Sequence, residues 1–378
     1  MPAKKLAKDN PYFIDNAKRV KAVQKEMARA GIDVYLGSRL RTMSWILDAF
    51  CPWRTFVVIP PSGLPTAVTF VIDAARVQDE SWLDQDHVLG YGPMGGQDQV
   101  ALLSMLIKPY LKGGKGVIGI ETGMGNYLPE GHLTLFEYLM LKAAMPKASI
   151  KNAHDIIDRL SLIKDEGTIN RFREASRIVD VGHKAVYDAI KDGGYAKMTE
   201  TEVGGLAAGA CTPASRRKLK AGDPLMVDLH AMYRLGLGDH SHNYFLGKAT
   251  KRQQWHAKNF VDLMKQVLIT YRAGITPTRL ADEMLAFAEE KGFQDYMVPG
   301  FEHGIGLMGD EWRIGLNDGP FQYWTNPEHV YQKNEMLICA VQYACPEENI
   351  GFRYENPILI KEKNCEAMSR FPLSVNVV

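Results

Sequence analysis

Asp228, His230 and Asp239 fall within the stretch Lys220–Gly247, and their types and spacing suit the coordination of a cation. The turn signal Ala221-Gly222-Asp223 leads into an alternating apolar run from Leu225 to Tyr233, and a bend near Gly236 and Gly238 precedes a second predicted strand. Strand side chains alternate, so Asp228 and His230 share one face while Val227 and Leu229 take the other. A carboxylate among such neighbours is costly to bury without a cation, and Asp239 stands where the next strand starts and can face the same pocket. His303, in EHGIGLMGDEW, and Glu355, in GFRYEN, supply the remaining donors. Carboxylate oxygen and imidazole nitrogen suit hard and borderline divalent ions, and a two-metal hydrolase needs carboxylates that bridge ions about 3.5–4 Å apart.

Other residues carry open alternatives. His230 is either a ligand or a hydrogen-bonded neighbour of the ligands. Glu355 is a ligand or the strand-ladder partner of Arg353. Gln342 is a neutral oxygen donor or a polar residue in an apolar strand, and His240 and His242 point away from the Asp239 face, to the surface or behind the ligands. Glu121, ending an apolar strand, points into solvent or caps a neighbour, with a site role as the alternative.

The order of these motifs resembles the pita-bread family of prolidase, aminopeptidase P, methionine aminopeptidase and creatinase. Asp228 and Asp239 match the family's Asp, ten residues, Asp; His303-Gly304-Ile305-Gly306 matches its His-Gly-x-Gly segment; Arg353-Tyr354-Glu355 matches its last ligand strand. Arg19–Leu36 and Ile163–Val186 are similar to the start of its N-terminal domain and its first catalytic-domain helix. The resemblance implies Asp228, Asp239, His303, Gln342 and Glu355 as the metal set, for Mn, Fe, Co or Zn. One ion is expected, with two or none as alternatives.

Departures from the pattern bear on function. The family's Met-x-x-x-x-Glu-Pro-Gly glutamate falls within Met336–Gln342, where Val341 or Gln342 stands in its place, so one of the two ions should bind poorly. Gly205–Lys218 leaves no room for the family's substrate-facing histidine; around Gly209–Ser215 either a strand is deleted or a segment is missing. The second histidine of the His-Gly segment is Asp310, which donates a proton only if its pKa is raised. Asp310-Glu311-Trp312 instead resembles the family's dimethylsulfoniopropionate lyases, in which the aspartate removes a carbon-bound proton, although the seven-residue step from His303 is the peptidase one. Trp312, Tyr323 and Trp324 form an aromatic box for a sulfonium or quaternary ammonium group, or else pack an interface or the core.

The elements that must position these residues are legible by period. Apolar residues at Ile14, Ala17, Val20, Val23 and Met27 predict a helix over 14–30 closed by Gly31, followed by a strand over 32–37. Strands over 56–59 and 66–72 flank the turn Pro60-Pro61-Ser62-Gly63; a helix over 102–111 and a strand over 117–121 come after them. This alternation indicates an α/β domain over 1–150, ending in a linker near Met145–Asn152, with the catalytic domain over 151–378. There, two helices occupy 156–190, Thr199 with Glu202 forms a capping box, and amphipathic helices cover 255–271 and 277–291.

The 378 residues carry a net charge of +1, which gives no reason to expect nucleic acid or an anionic membrane as partner. Five scattered cysteines without CxxC spacing suggest reduced thiols and a cytoplasmic protein, and no apolar run suggests export or membrane insertion. The expected fold is an α/β N-terminal domain plus an α+β pita-bread C-terminal domain, paired as a homodimer. The expected activity is metal-dependent hydrolysis of an amide or other C–N bond in a dipeptide or small molecule, with His303, Asp310 and Glu311 catalytic and His230, Trp312, Tyr323 and Trp324 binding substrate. A lyase acting on a small cationic substrate and an inactive binding protein are the alternatives.

Overall fold

The computed structural model describes residues 6–93, 97–122, 131–206, 216–298, 300–307, 309–311 and 329–378. The chain divides into two compact units, one running to Leu162 and the other beginning at Ile163.

The first unit is built from α1 (Asn16–Ala30), β1 (Val34–Gly37), α2 (Leu40–Leu47), β2 (Phe56–Ile59), β3 (Thr66–Phe70), α3 (Val71–Glu80), β4 (Val88–Tyr91), α4 (Gln99–Ile107), β5 (Val117–Ile120), α5 (Leu135–Ala144), β6 (Ser149–Asn152) and α6 (Asp155–Leu162). Asp15 caps α1 by accepting from the Lys18 amide, and Gly31 ends it in the left-handed conformation that glycine adopts without strain. The strands form one mixed sheet in the order β4-β3-β2-β1-β5-β6. Apolar side chains alternate to both faces: Tyr35, Val57 and Ile59 enter one core cluster, and Val34, Leu36, Phe56 and Val58 the other. Two expectations are corrected. The strand predicted over 66–72 stops at Phe70, because α3 begins at Val71. The segment read as a linker near 145–152 contains β6, whose backbone pairs in parallel with β5 and extends the sheet.

Glu121 is fully buried, so the solvent-facing reading fails and the capping one holds. Its carboxylate accepts from the amides of Ser38 and Arg39 at 2.5 and 2.8 Å, the Tyr35 hydroxyl at 2.9 Å and Arg39 Nε at 3.1 Å, and also from Thr42. Two of those donors are backbone groups at the start of α2 that would otherwise have no partner. Arg39 and Arg41 both reach Asp158 at 2.9 Å, so the two buried arginines and two buried acids balance in charge. Burial opposes ionisation of Glu121 and Asp158, but Arg39, together with Thr42 for the one and Arg41 for the other, holds both carboxyls below their ordinary values.

The second unit continues with α7 (Glu166–Ile190), α8 (Glu200–Leu206), β7 (Pro224–Tyr233), β8 (Gly236–Phe245), α9 (Lys251–Thr270), α10 (Pro277–Lys291), β9 (Met297–Val298), β10 (Glu302–Gly306), β11 (Gly309–Glu311), β12 (Met336–Cys345), β13 (Ile350–Ile360), β14 (Cys365–Ala367) and β15 (Val375–Val377). Its sheet runs β11-β10-β12-β13-β8-β15, with β7 paired to β8. One face buries Phe260, Leu263, Met264 and Val267 of α9 against Val341, Tyr343, Phe352 and Tyr354. Thr199 and Glu202 exchange the predicted capping hydrogen bonds at 2.7 and 3.3 Å.

The β7–β8 turn differs from expectation. Arg234 and Leu235, with φ of 45° and 68°, supply the two left-handed positions of a tight hairpin, and Arg171 Nη1 donates to the Arg234 carbonyl at 3.0 Å. Gly236 and Gly238 lie beyond the bend and serve packing. A Cβ at either would approach the α7 backbone to 2.8 Å at Arg171 or 2.7 Å at Ala175. Glycine here lets helix and strand touch.

Candidate metal centre

The sheet register places the predicted donors on one face. Across the hairpin Asp228 pairs with Ser241 and His230 with Asp239; Glu355 of β13 also pairs with Ser241, and His303 of β10 pairs with Ile338 of β12. Residues directly opposite one another share a face, so strands β7, β8, β13 and β10 bring their donors to one patch.

Asp239 is at its centre. His230 Nε2 lies 2.8 Å from Asp239 Oδ1 and 3.7 Å from Asp228 Oδ1; His303 Nε2 lies 3.7 Å from Asp239 Oδ2 and 3.4 Å from Glu355 Oε1. Two donor groups result, Asp228–His230–Asp239 and Asp239–His303–Glu355, each with ligand atoms within 4.8 Å of one another. Asp228, Asp239, His303 and Glu355 are buried, whereas His230 is exposed.

Sequence reasoning missed the role of Ser241, whose hydroxyl donates to Glu355 Oε2 at 3.3 Å. Its position two residues past Asp239 on the same strand face was the available signal. Arg353 also binds Glu355, so the ladder reading of that pair holds beside the proximity of Glu355 to the other donors.

The electrostatics separate the carboxylates. Burial, then the negative charges of Glu355 and Asp239, push Asp228 up to about 7. Glu355 moves the other way: against burial, hydrogen bonds from His303 and Arg353 hold it at about 2. Repulsion among acids gathered in a buried patch is what a cation relieves.

The residues present fit a divalent ion. Asp228 Oδ1 and Asp239 Oδ1 are buried without a hydrogen bond, His230 approaching the latter out of alignment. His303 Nδ1 faces the Gly304 carbonyl at 3.1 Å. A carbonyl only accepts, so Nδ1 donates there, and Nε2 is the ring atom turned toward the acids, within hydrogen-bond reach of Glu355 and placed to be the ligand atom for an ion.

Gln342 pairs with Arg353 and lies on the site face, whereas Val341 pairs with Tyr354 and enters the core on the opposite face. The residue directly opposite Glu355 is Ala340. A second carboxylate meeting Glu355 across the ladder would stand there, and alanine offers no donor. Asp310 and Glu311 belong to β11, whose backbone pairs them with Ile305 and Gly304 next to His303. Trp312, Tyr323 and Trp324, and the short stretch at 209–215, lie outside the described residues.

His240 and His242 do point away from Asp239, as alternation requires, but to the interior and not the surface. Both are buried with His183 of α7, whose Nε2 lies 3.0 Å from the His240 carbonyl, and the His183 and His242 rings meet edge to face at 4.4 Å. Burial pushes His183 down to about 4 and His242 well below its ordinary value, so His183 and His242 pack as neutral groups behind the hairpin.

Residues 19–163 match the creatinase/prolidase N-terminal domain, and residues 206–362 match metallopeptidase family M24. The chain is 25% identical over 278 residues to an Xaa-Pro dipeptidase of Pyrococcus horikoshii, covering 68% of this chain and 75% of that protein. It is 27% identical over 185 residues to an ectoine hydrolase of Halomonas elongata, covering 47% of this chain and 45% of that one. Among solved structures, an X-Pro aminopeptidase from Thermotoga maritima superposes with a TM-score of 0.75 at 19% identity, covering 95% of this chain and 99% of the other.

Proposed function

Since the chain belongs to the creatinase/prolidase family of pita-bread proteins, with a metallopeptidase M24 second half, we propose that it is a metal-dependent hydrolase of an amide or related C–N bond, Xaa-Pro dipeptidase-like, with an incomplete dinuclear site. The observation that carries this reading is the placement of Asp239, whose two oxygens face His230 on one side and His303 on the other. Asp228, Asp239, His303 and Glu355 would hold the ion, with His230 beside them. Their mixed oxygen and nitrogen chemistry suits Mn, Fe, Co or Zn. A divalent ion there supplies a Lewis acid for the scissile carbonyl and lowers the pKa of water towards neutrality.

The chain's own residues prepare that site. Arg353 keeps Glu355 ionised, Ser241 orients its second oxygen, and the Gly304 carbonyl holds His303 Nδ1 so that Nε2 faces the acids. Asp310 or Glu311, on the strand beside His303, is assigned the proton transfer. On the site face of β12, Ala340 opposite Glu355 and Gln342 opposite Arg353 offer no carboxylate, which supports a single tightly bound ion.

The test is metal analysis of the purified protein combined with proline release from Xaa-Pro dipeptides, with and without added manganese. About one manganese ion per chain and manganese-dependent proline release support the proposal; absence of bound manganese and of activity with manganese, iron, cobalt or zinc overturns it. A second reading rests on Asp310-Glu311-Trp312 replacing the peptidase histidine. Release of dimethyl sulfide from dimethylsulfoniopropionate, without dipeptide cleavage, would favour it.

A further inference from the structure

Away from that patch, His256, Cys345 and Glu348 bring an imidazole, a thiol and a carboxylate together, their ligand atoms within 4.8 Å of one another. The three come from separate places: His256 from the first turns of α9, Cys345 from the last residue of β12, and Glu348 from the turn that leads into β13. His256 and Cys345 are buried, and Glu348 is exposed.

The two nitrogens of the His256 ring meet different neighbours. Nδ1 meets the Tyr343 hydroxyl at 2.7 Å, while Nε2 is buried without a hydrogen bond and points toward Glu348 Oε1 at 3.4 Å. Trp255 and Tyr296 stand edge-on to the ring with centroids at 4.8 and 4.9 Å. Arg252 binds Glu348 through Nε, at 2.9 and 3.0 Å from its two oxygens, and through Nη2 at 2.7 Å, and so holds that carboxylate beside Nε2. The Cys345 thiol has a weak contact, 3.8 Å to Glu347 Oε2.

We propose that His256, Cys345 and Glu348 form a second metal site, separate from the catalytic patch, that takes a zinc-like ion and ties α9 to the β12–β13 turn. Thiolate, imidazole and carboxylate are the donors such an ion selects, whereas the catalytic patch has no sulfur. The donors need to close by about 1 Å to reach Zn–S of about 2.3 Å and Zn–N of about 2.0 Å, a shift within side-chain rotation. As the metal–sulfur bond forms, the Cys345 thiol proton passes to solvent, and the exposed side beside Glu348 leaves the fourth position to water.

The test uses the full-length protein, stripped with chelator and titrated with Co²⁺, then with Zn²⁺ in competition. Wild type should develop the ultraviolet sulfur-to-cobalt charge-transfer band, and Asp239→Asn should keep it, because the catalytic donors contain no thiol. Cys345→Ser should abolish the band. Glu348→Gln, an exposed and conservative change, should weaken Zn²⁺ binding at this site by about tenfold or more, the least that loss of a metal's supporting contact costs. No band in wild type at saturating Co²⁺, or a band that survives Cys345→Ser, overturns the proposal. Neither readout depends on hydrolase activity, so failure here leaves the catalytic reading intact, and the reverse also holds.

Discussion

Ala340 is buried and directly opposite Glu355, which makes Ala340→Glu a probe of what a second carboxylate at that place would do. Side chains opposite each other across an antiparallel pair have Cβ atoms about 4.5–5.5 Å apart, so two glutamates there present oxygens to the same space. At about 5 Å and an effective dielectric of about 20, two negative charges repel by about 3 kcal/mol. Protonating one carboxyl at neutral pH sets a similar ceiling, about 3–4 kcal/mol from an ordinary glutamate value. With about 2–4 °C of melting shift per kcal/mol for a unit of this size, Ala340→Glu in chelator should melt about 6–16 °C below Ala340→Gln. The glutamine variant has the same bulk without the charge. Adding Mn²⁺ should reverse the order: the glutamate variant gains a ligand, and its metal-induced rise should exceed that of wild type, with metal analysis approaching two ions per chain. The assay is differential scanning fluorimetry with chelator or with Mn²⁺. Glutamate and glutamine variants that melt together in chelator, or a manganese response no larger than that of wild type, would refute the reasoning.

The same contacts set further outcomes. Asp239→Asn removes the carboxylate common to both donor groups of the patch, so bound manganese should fall below about one tenth of the wild-type content, as read by elemental analysis after loading with Mn²⁺. Glu121→Ala leaves the amides of Ser38 and Arg39 without their acceptor and Asp158 alone to balance two buried arginines, and should cost about 3–5 kcal/mol, measured by denaturant unfolding. Because the folded-state pKa values of Glu121 and Asp158 are depressed, the stability they contribute is present above the unfolded carboxylate range, about pH 4, and is lost as pH falls below it. The Glu121→Ala variant should therefore lose less stability than wild type between about pH 5 and about pH 3. Gly238→Ala would drive a methyl group to 2.7 Å from the Ala175 backbone and should lower stability by about 1–3 kcal/mol, a loss seen as a lower melting temperature.

Sequence alone determined the features that period and local chemistry dictate. The helix at 16–30 with its Gly31 stop, the capping box at Thr199, the helix at 277–291 and the alternation that puts Asp228 and His230 on one face all rest on residues within a few positions of one another. The order of the Asp, His-Gly and Arg-x-Glu motifs carried the family. Register, however, is a relation between distant segments, and a slip of one residue reverses every side chain. Only the folded sheet decided that Ala340, and not Val341, stands opposite Glu355, that Ser241 reaches the same carboxylate, and that Asp239 faces both histidines. Burial depended on tertiary structure in the same way. Glu121 at a strand end and His240 and His242 beside a ligand look like surface residues until α2 and α7 are packed over them, because whether a polar group meets water is decided by what the rest of the chain places above it.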